Sequence, residues 1–206
     1  MCAHLPSISE QGGEKPLLIL LSGWAGSGKD AVAATLTGQF KFQRFAFADP
    51  LKEAVAAATG LPAAMFERPF KDRPLGPSDH RTPRDLLIQH ADAARARDPD
   101  IYSRAILDMI RASRSSRAVI SDWRYKREGA VVGSALAAEG WTVLQVRVRR
   151  PDIVPSAAPI EHDLDEQRMD LWIDNDGTLT DLAQKVTNWA TRVTGSAPTT
   201  VTKTTE

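Results

Sequence analysis

The stretch Gly23-Trp24-Ala25-Gly26-Ser27-Gly28-Lys29-Asp30 holds the residues whose types and spacing can do chemistry most directly. Gly23, Gly28 and Lys29 fit G-x-x-x-x-G-K. In such a loop glycines let successive backbone N–H groups converge on phosphate oxygens, and the lysine brings a point charge to the β- and γ-phosphates. Asp30 stands where Ser or Thr is usual. A glycine turn with a chance lysine is the plain alternative, and the flanks weigh against it. Leu17-Leu18-Ile19-Leu20-Leu21 is a continuous apolar run, the pattern of a strand buried on both faces of a parallel sheet. Val32, Thr35, Leu36 and Phe40 then recur at helical spacing. Strand, loop and helix make a phosphate site, with the helix N-terminus adding partial positive charge.

The remaining candidate chemistry is cationic and acidic. Arg68, Lys71, Asp72, Arg73 and Arg81 lie in a proline-rich, poorly periodic connection from residue 61 to 81, and such connections are usually functional or mobile. Arg84 follows at a helix start, Thr82-Pro83-Arg84-Asp85. A cation is unfavourable there unless an anion is near, and the guanidinium fork suits a phosphate. Asp122 ends the apolar run Ala118-Val119-Ile120-Ser121, just before Trp123-Arg124. It reads either as a capping aspartate or as a group that meets Mg2+ through water or orients Arg124. Arg147, Arg149 and Arg150 cluster near the end of another apolar run, and no Ser-His or Cys-His pair announces a nucleophile.

These residues need a frame. A chain of 206 residues, 42% hydrophobic, supports one domain with a full core, expected over residues 16–194. Residues 1–15 read as a flexible lead-in and 195–206 as a disordered, Thr-rich tail. Lys plus Arg equals Asp plus Glu at 26 each, so no basic field invites nucleic acid. Cys2 alone excludes an internal disulfide and a Cys-based metal site. No apolar run approaches the roughly 18 residues of a membrane span, and the first residues lack a signal-peptide pattern. A soluble, cytoplasmic protein without a membrane partner is expected.

Strands are expected at 17–21, 44–47, 118–122, 142–148 and 171–174. Between them, Asp49 reads as an N-cap with Pro50 the first helical residue, Leu51, Ala54, Val55 and Ala58 forming the face and Gly60 the stop. Helices follow from Thr82, with Leu86, Leu87 and His90 inward, and from Asp98-Pro99, with Tyr102, Ile106, Met109 and Ile110 as a stripe. Two more run from 126 to 139, closing at Gly140, and from a Thr178 cap, with Leu179, Leu182, Val186 and Trp189 as core face. Strands alternating with helices give a parallel α/β sheet. Ligands bind at the carboxyl ends of such strands, which gathers the glycine loop, Asp49, Asp122-Trp123-Arg124 and Arg149-Arg150 on one edge. The tryptophans read mostly as core; Trp24 is placed to lie against a nucleotide or roof the loop.

In this order the residues resemble the deoxynucleoside monophosphate kinases of tailed phages and, more distantly, the animal-type phosphomevalonate kinases. The matching stretches are Leu21-Ser22-Gly23 through Gly28-Lys29-Asp30, Phe47-Ala48-Asp49-Pro50-Leu51-Lys52, Lys71-Asp72 and Arg81-Thr82-Pro83-Arg84-Asp85-Leu86-Leu87. Val119-Ile120-Ser121-Asp122-Trp123-Arg124, the Arg149 region, His162 with Glu166, and Ile173-Asp174-Asn175-Asp176-Gly177-Thr178-Leu179 complete them. A Lys-Asp loop ending is a habit of this family. The chain departs at Ile88-Gln89-His90-Ala91, where the phage enzymes show Leu-Gln and a glycine, and at His162-Asp163-Leu164-Asp165-Glu166, where they show His-x-Ser-Glu.

The resemblance implies a P-loop NTPase fold, NMP-kinase-like, with a five-stranded parallel sheet, an acceptor-binding region about 49–113 and a lid about 149–170. It implies transfer of the γ-phosphoryl group of ATP, with Mg2+, to a deoxynucleoside 5′-monophosphate in phage DNA-precursor metabolism. Gly23 to Asp30 would contact ATP, and Lys29, Asp30, Asp122, Arg124 and Arg149 would act in catalysis. Asp49, Lys52, Lys71, Arg81, Arg84, Gln89 and Arg124 would hold the acceptor, and Asp30 and Asp122 the metal. Arg149 or Arg150 would close as lid, with His162 a lid or surface residue. The attacking phosphate oxygen is already anionic, so no strong base is needed. Three alternatives stay open: a phosphomevalonate-type kinase, a non-catalytic nucleotide-binding module, and, for assembly, a homodimer.

Overall fold

The computed structural model describes residues 15–199. Most of the expected lead-in, 1–14, and residues 200–206 of the expected tail lie outside the described residues. Among those described, β1 (Leu17–Ser22), β2 (Gln43–Phe45), β3 (Arg117–Ile120), β4 (Thr142–Arg149) and β5 (Leu171–Asp174) form one sheet. Its order is β2-β3-β1-β4-β5 and every pairing is parallel. Helices α1 (Lys29–Phe40), α2 (Ala48–Thr59), α3 (Pro83–Arg97), α4 (Ile101–Ser113), α5 (Lys126–Ala138) and α6 (Leu179–Thr194) complete the crossovers and close the chain. With a P-loop between β1 and α1, this is the α/β P-loop fold of the NMP-kinase-like kind.

Because β1 is central, both faces of it are covered, which is what its unbroken apolar run requires. Leu17, Ile19 and Leu21 point to one side, against Val32, Leu36 and Phe40 of α1 and Leu182, Val186 and Trp189 of α6. Leu18 and Leu20 point to the other, against Ile106 and Ile110 of α4 and Val132 and Leu136 of α5. Each fully buried leucine here contributes roughly 1.5–3 kcal/mol, so the strand that carries the P-loop is the best anchored in the sheet.

Local signals set the helix starts. Thr82 caps α3 and Thr178 caps α6; each hydroxyl accepts from the third helical amide, and Asp85 or Asp181 reciprocates. Several expectations change. Strand β2 ends at Phe45, short of Phe47, and β3 ends at Ile120, ahead of Asp122. Asp49 does not cap α2: the helix already begins at Ala48, and its N-terminus uses a different carboxylate. Leu86, Leu87 and His90 are only half-buried, while Pro83 and Ala91 form the inner contacts of α3. Leu179 is 71% exposed, because it stands at the first position of α6, a turn before the buried Leu182. Residues 195–199, expected to be disordered, lie against the domain, with the Thr199 N–H donating to the Gln39 carbonyl at 2.8 Å and Arg117 to Ser196 Oγ at 2.7 Å. No helix among the described residues is long and apolar enough to cross a membrane.

Candidate active site

The P-loop joins the carboxyl end of β1 to α1, and its glycines are required by their surroundings. Gly23 has φ +142°, and a Cβ there would lie 2.4 Å from the Val148 carbonyl oxygen. Gly28 has φ +104°, and a Cβ there would lie 2.6 Å from Asn175 Nδ2. That amide donates to the Ser27 carbonyl at 2.9 Å, so Asn175, buried just beyond β5, props the loop from below. The sequence named Asn175 only within the stretch Ile173 to Leu179, with no role of its own.

Lys29 folds over the loop, its Nζ donating to the Gly23 carbonyl at 2.5 Å and the Trp24 carbonyl at 2.8 Å. Burial, and then the Arg124 charge, lower its pKa to about 8, with Glu161, Asp30 and Asp122 pulling the other way. Lys29 thus stands within electrostatic reach of all four. Asp30 is exposed in the first turn of α1, and no side chain caps that helix. Asp30 therefore does not cap its own helix. Ser27 Oγ, Ser22 Oγ and Trp24 Nε1 are buried without a hydrogen-bond partner among the described residues, so polar capacity in and beside the loop is left unused.

Asp122 is the carboxylate that starts α2. Its Oδ1 accepts from the Phe47 N–H at 2.8 Å and its Oδ2 from the Ala48 N–H at 3.0 Å. The capping reading of Asp122 is therefore realised, on a helix far away in sequence. Burial pushes its carboxyl up, and those two amides and Arg124 oppose the shift.

Two residues to which sequence reasoning assigned no site role complete the centre. Glu161, in a 3-10 turn (Pro159–Glu161), accepts from the Ala25 N–H at 3.1 Å and pairs with Arg124. Arg147, 5% exposed, donates to the Leu164 carbonyl at 2.7 Å and to Asp165 at 2.5 Å, and its guanidinium lies 5.5 Å from the Trp24 ring and 5.6 Å from the Trp172 ring. It ties the 159–165 segment to β4. In β4 it alternates, with Gln145, against Leu144, Val146 and Val148, yet its face of the strand is covered too. Ser22, Trp24, Trp123, Arg124, Arg147 and Glu161 line one small cleft between P-loop and segment. Arg149 instead pairs with Asp174 at 2.6 Å, over Trp172, which is 45% exposed rather than core. Exposed His162 bonds Asp165 and the Ser156 carbonyl.

A second cationic group lies about α2 and the start of α3. Lys52 pairs with Glu67 and lies near Asp49, which also faces Arg44. Arg84 pairs with Asp72 at 2.5 Å, and its N–H donates to the Lys71 carbonyl at 3.0 Å. Burial lowers the Lys71 pKa, followed by the charges of Arg84 and Arg68. Lys71 thus stands within electrostatic reach of Lys52, Arg68 and Arg84; Arg68, which the sequence placed in the same connection, had no acceptor role there. Arg81 is bound instead within its own turn, to Asp79 at 2.7 Å. Gln89 is exposed on α3 and makes no side-chain hydrogen bond among the described residues. Asp122 feels both Asp49 and Arg124, and so links this group to the P-loop.

No protein-family model matches the chain, and no curated protein matches it in sequence. Among solved structures it is similar to a tunicamycin resistance protein from Deinococcus radiodurans, at 15% identity and TM-score 0.49, covering 91% of this chain and all of that one. An APS kinase from Mycobacterium tuberculosis gives 14% identity and TM-score 0.47, over 86% of this chain and 99% of that chain. A dephospho-CoA kinase from Campylobacter jejuni gives 13% and 0.47, over 86% and 97%.

Proposed function

We propose that this chain is a kinase that moves the γ-phosphoryl group of Mg-ATP onto the phosphate of a small molecule, and that the acceptor is a deoxynucleoside 5′-monophosphate. One observation carries the reading: Asp122, which acts on the P-loop lysine, also holds the start of α2, whose Lys52 adjoins the cations around Lys71. Phosphoryl transfer asks for two anionic partners held in line and for positive charge around the moving group. A module that only binds a nucleotide has no use for the second cluster. The choice of a deoxynucleotide, in phage DNA-precursor metabolism, rests on the ordered motif resemblance.

The loop's own groups suit the donor. Its amides and Lys29 bind and orient the phosphates, and Arg124, paired with Glu161 and within electrostatic reach of Lys29, supplies charge where the group moves. The uncapped, exposed Asp30 and the unused Ser27 hydroxyl fit Mg2+, a hard cation that takes one or two protein oxygens and keeps its waters. Among the described residues no cluster of three or more ligating side chains exists, and Mg2+ on a nucleotide needs none. Asp30 would hold it, since both Asp122 oxygens already serve the α2 amides, and when bound it would neutralise charge among the phosphate oxygens.

The test is a coupled ADP-release assay over the common and several modified deoxynucleoside monophosphates, with phosphomevalonate alongside. Turnover of phosphomevalonate and of no deoxynucleotide would reverse the assignment. In the same assay Arg84→Ala should raise the acceptor KM tenfold or more, roughly the worth of one charge-assisted phosphate contact. ATP binding without acceptor should stay unchanged. Lower ATP affinity with a constant acceptor KM would move Arg84 to the donor side.

A pH profile follows from Lys29. Its folded pKa of about 8 means that the free chain loses the ammonium as pH rises above that value. Nucleotide affinity should therefore be level from pH 6.5 to 7.5 and then weaken, by up to about tenfold per pH unit. Calorimetry with metal-free ADP from pH 6.5 to 9.5 checks this, and a flat profile would contradict the buried-lysine account.

A further inference from the structure

The P-loop amide of Ala25 and the guanidinium of Arg124 are groups that a nucleotide phosphate needs, and both are held by a carboxylate of this same chain. Glu161 Oε2 accepts from the Ala25 N–H at 3.1 Å, and Oε1 pairs with Arg124. The Glu161 side chain is 8% exposed, so the contact is a seated one and not a surface encounter. Beside it, the Ile153 side chain approaches Gly26 so closely that a Cβ there would lie 3.2 Å from its Cδ1. The chain between β4 and β5 thus covers the loop at two adjacent residues.

We infer that Glu161 is an internal stand-in for a nucleotide phosphate, latching the 153–161 segment onto the P-loop until bound phosphates displace it. The inference rests on the P-loop reading above. A carboxylate and a phosphate oxygen cannot both take the single Ala25 N–H, and their charges repel at short range in a partly desolvated site. The polyphosphate prevails because it engages further loop amides and Lys29 together, where Glu161 has two oxygens. Displacement can be local. Residues 163–165 are fastened independently, by Arg147 to Leu164 and Asp165 and by the Lys126 N–H to Asp163 at 2.6 Å. Upstream, Val154 is 88% exposed and offers little resistance. A latch of this kind lowers apparent affinity by the fraction of chains in which it is open, and turns phosphate binding into movement of the segment beside Trp24 and Arg124.

The test measures binding of ADP, inorganic triphosphate and adenosine to the full chain in metal-free buffer, for wild type, Glu161→Gln and Lys29→Ala. Glu161→Gln should bind ADP and triphosphate about tenfold to a hundredfold more tightly, the worth of one charge-assisted contact removed from the competing state. Adenosine, with no phosphate, should bind as in wild type. In the wild-type chain, saturating ADP should speed hydrogen exchange across residues 153–161, a readout that needs no variant. Unchanged or weaker ADP binding by Glu161→Gln, with Lys29 still required, overturns the latch and leaves the P-loop reading intact. Equal tightening of adenosine overturns the phosphate stand-in. Exchange that stays level or slows on ADP overturns it even if the variant does not fold. Wild type and Glu161→Gln both failing to bind ADP and triphosphate would remove the P-loop reading and the latch with it.

Discussion

Lys29→Ala should reduce turnover at least about a hundredfold, near 3 kcal/mol of transition-state stabilisation, while leaving the thermal midpoint where it was or slightly higher. The kinetic half follows from position. Lys29 is the loop's own cation, held over the loop by the Gly23 and Trp24 carbonyls, and no other lysine lies in the loop. The stability half follows from its lowered pKa: burial makes the ammonium a burden on the folded state, so its removal does not weaken the fold. Steady-state kinetics and a melting curve on the same preparation check both halves. Near-wild-type kcat would remove the kinase reading, and a collapsed melting curve would show Lys29 to be a structural residue.

Asp122→Ala should be the most destabilising change in the site, by about 2–4 kcal/mol, because two part-buried amides lose a charged acceptor and α2 loses its cap. For a domain of this size that is a fall of roughly 5–15 °C in Tm. Asp122→Asn should be intermediate, since one amide oxygen can still accept while its NH2 opposes the second donor. Melting of the three proteins, with activity against Mg2+ concentration, separates the roles. A shifted Mg2+ curve at wild-type stability would make Asp122 a metal group and not a cap. A loss of both, with the Mg2+ midpoint fixed, is the expected result.

These two residues differ in how they came to light. Lys29 is legible in the chain because its neighbours specify it: glycines at the required spacing, an apolar run before and a helical repeat after. The same holds for the Thr82 and Thr178 caps, each answered three residues later by an aspartate, and for β1, whose six residues are all buried. These signals are local, and steric limits on the backbone and the periods of strand and helix make them readable.

Only the tertiary structure decided which partner each remaining polar group would take. Asp122 starts a helix 74 residues earlier, Glu161 reaches an amide 136 residues away, and Asn175 props a carbonyl 148 residues back. A carboxylate at a strand end has many equivalent donors available to it until the sheet order brings one pair of amides within 3 Å. Burial was open in the same way. Arg147 is inside because two tryptophans and a carbonyl of a later segment accept it, and Leu179 is outside because its helix meets the sheet one turn further on. The chain alone thus determined the phosphate loop, the strand and helix that aim it, and the cation-rich character of the site. Packing determined which charges face one another there, because a charge pair has no period in sequence and exists only where the fold closes the distance.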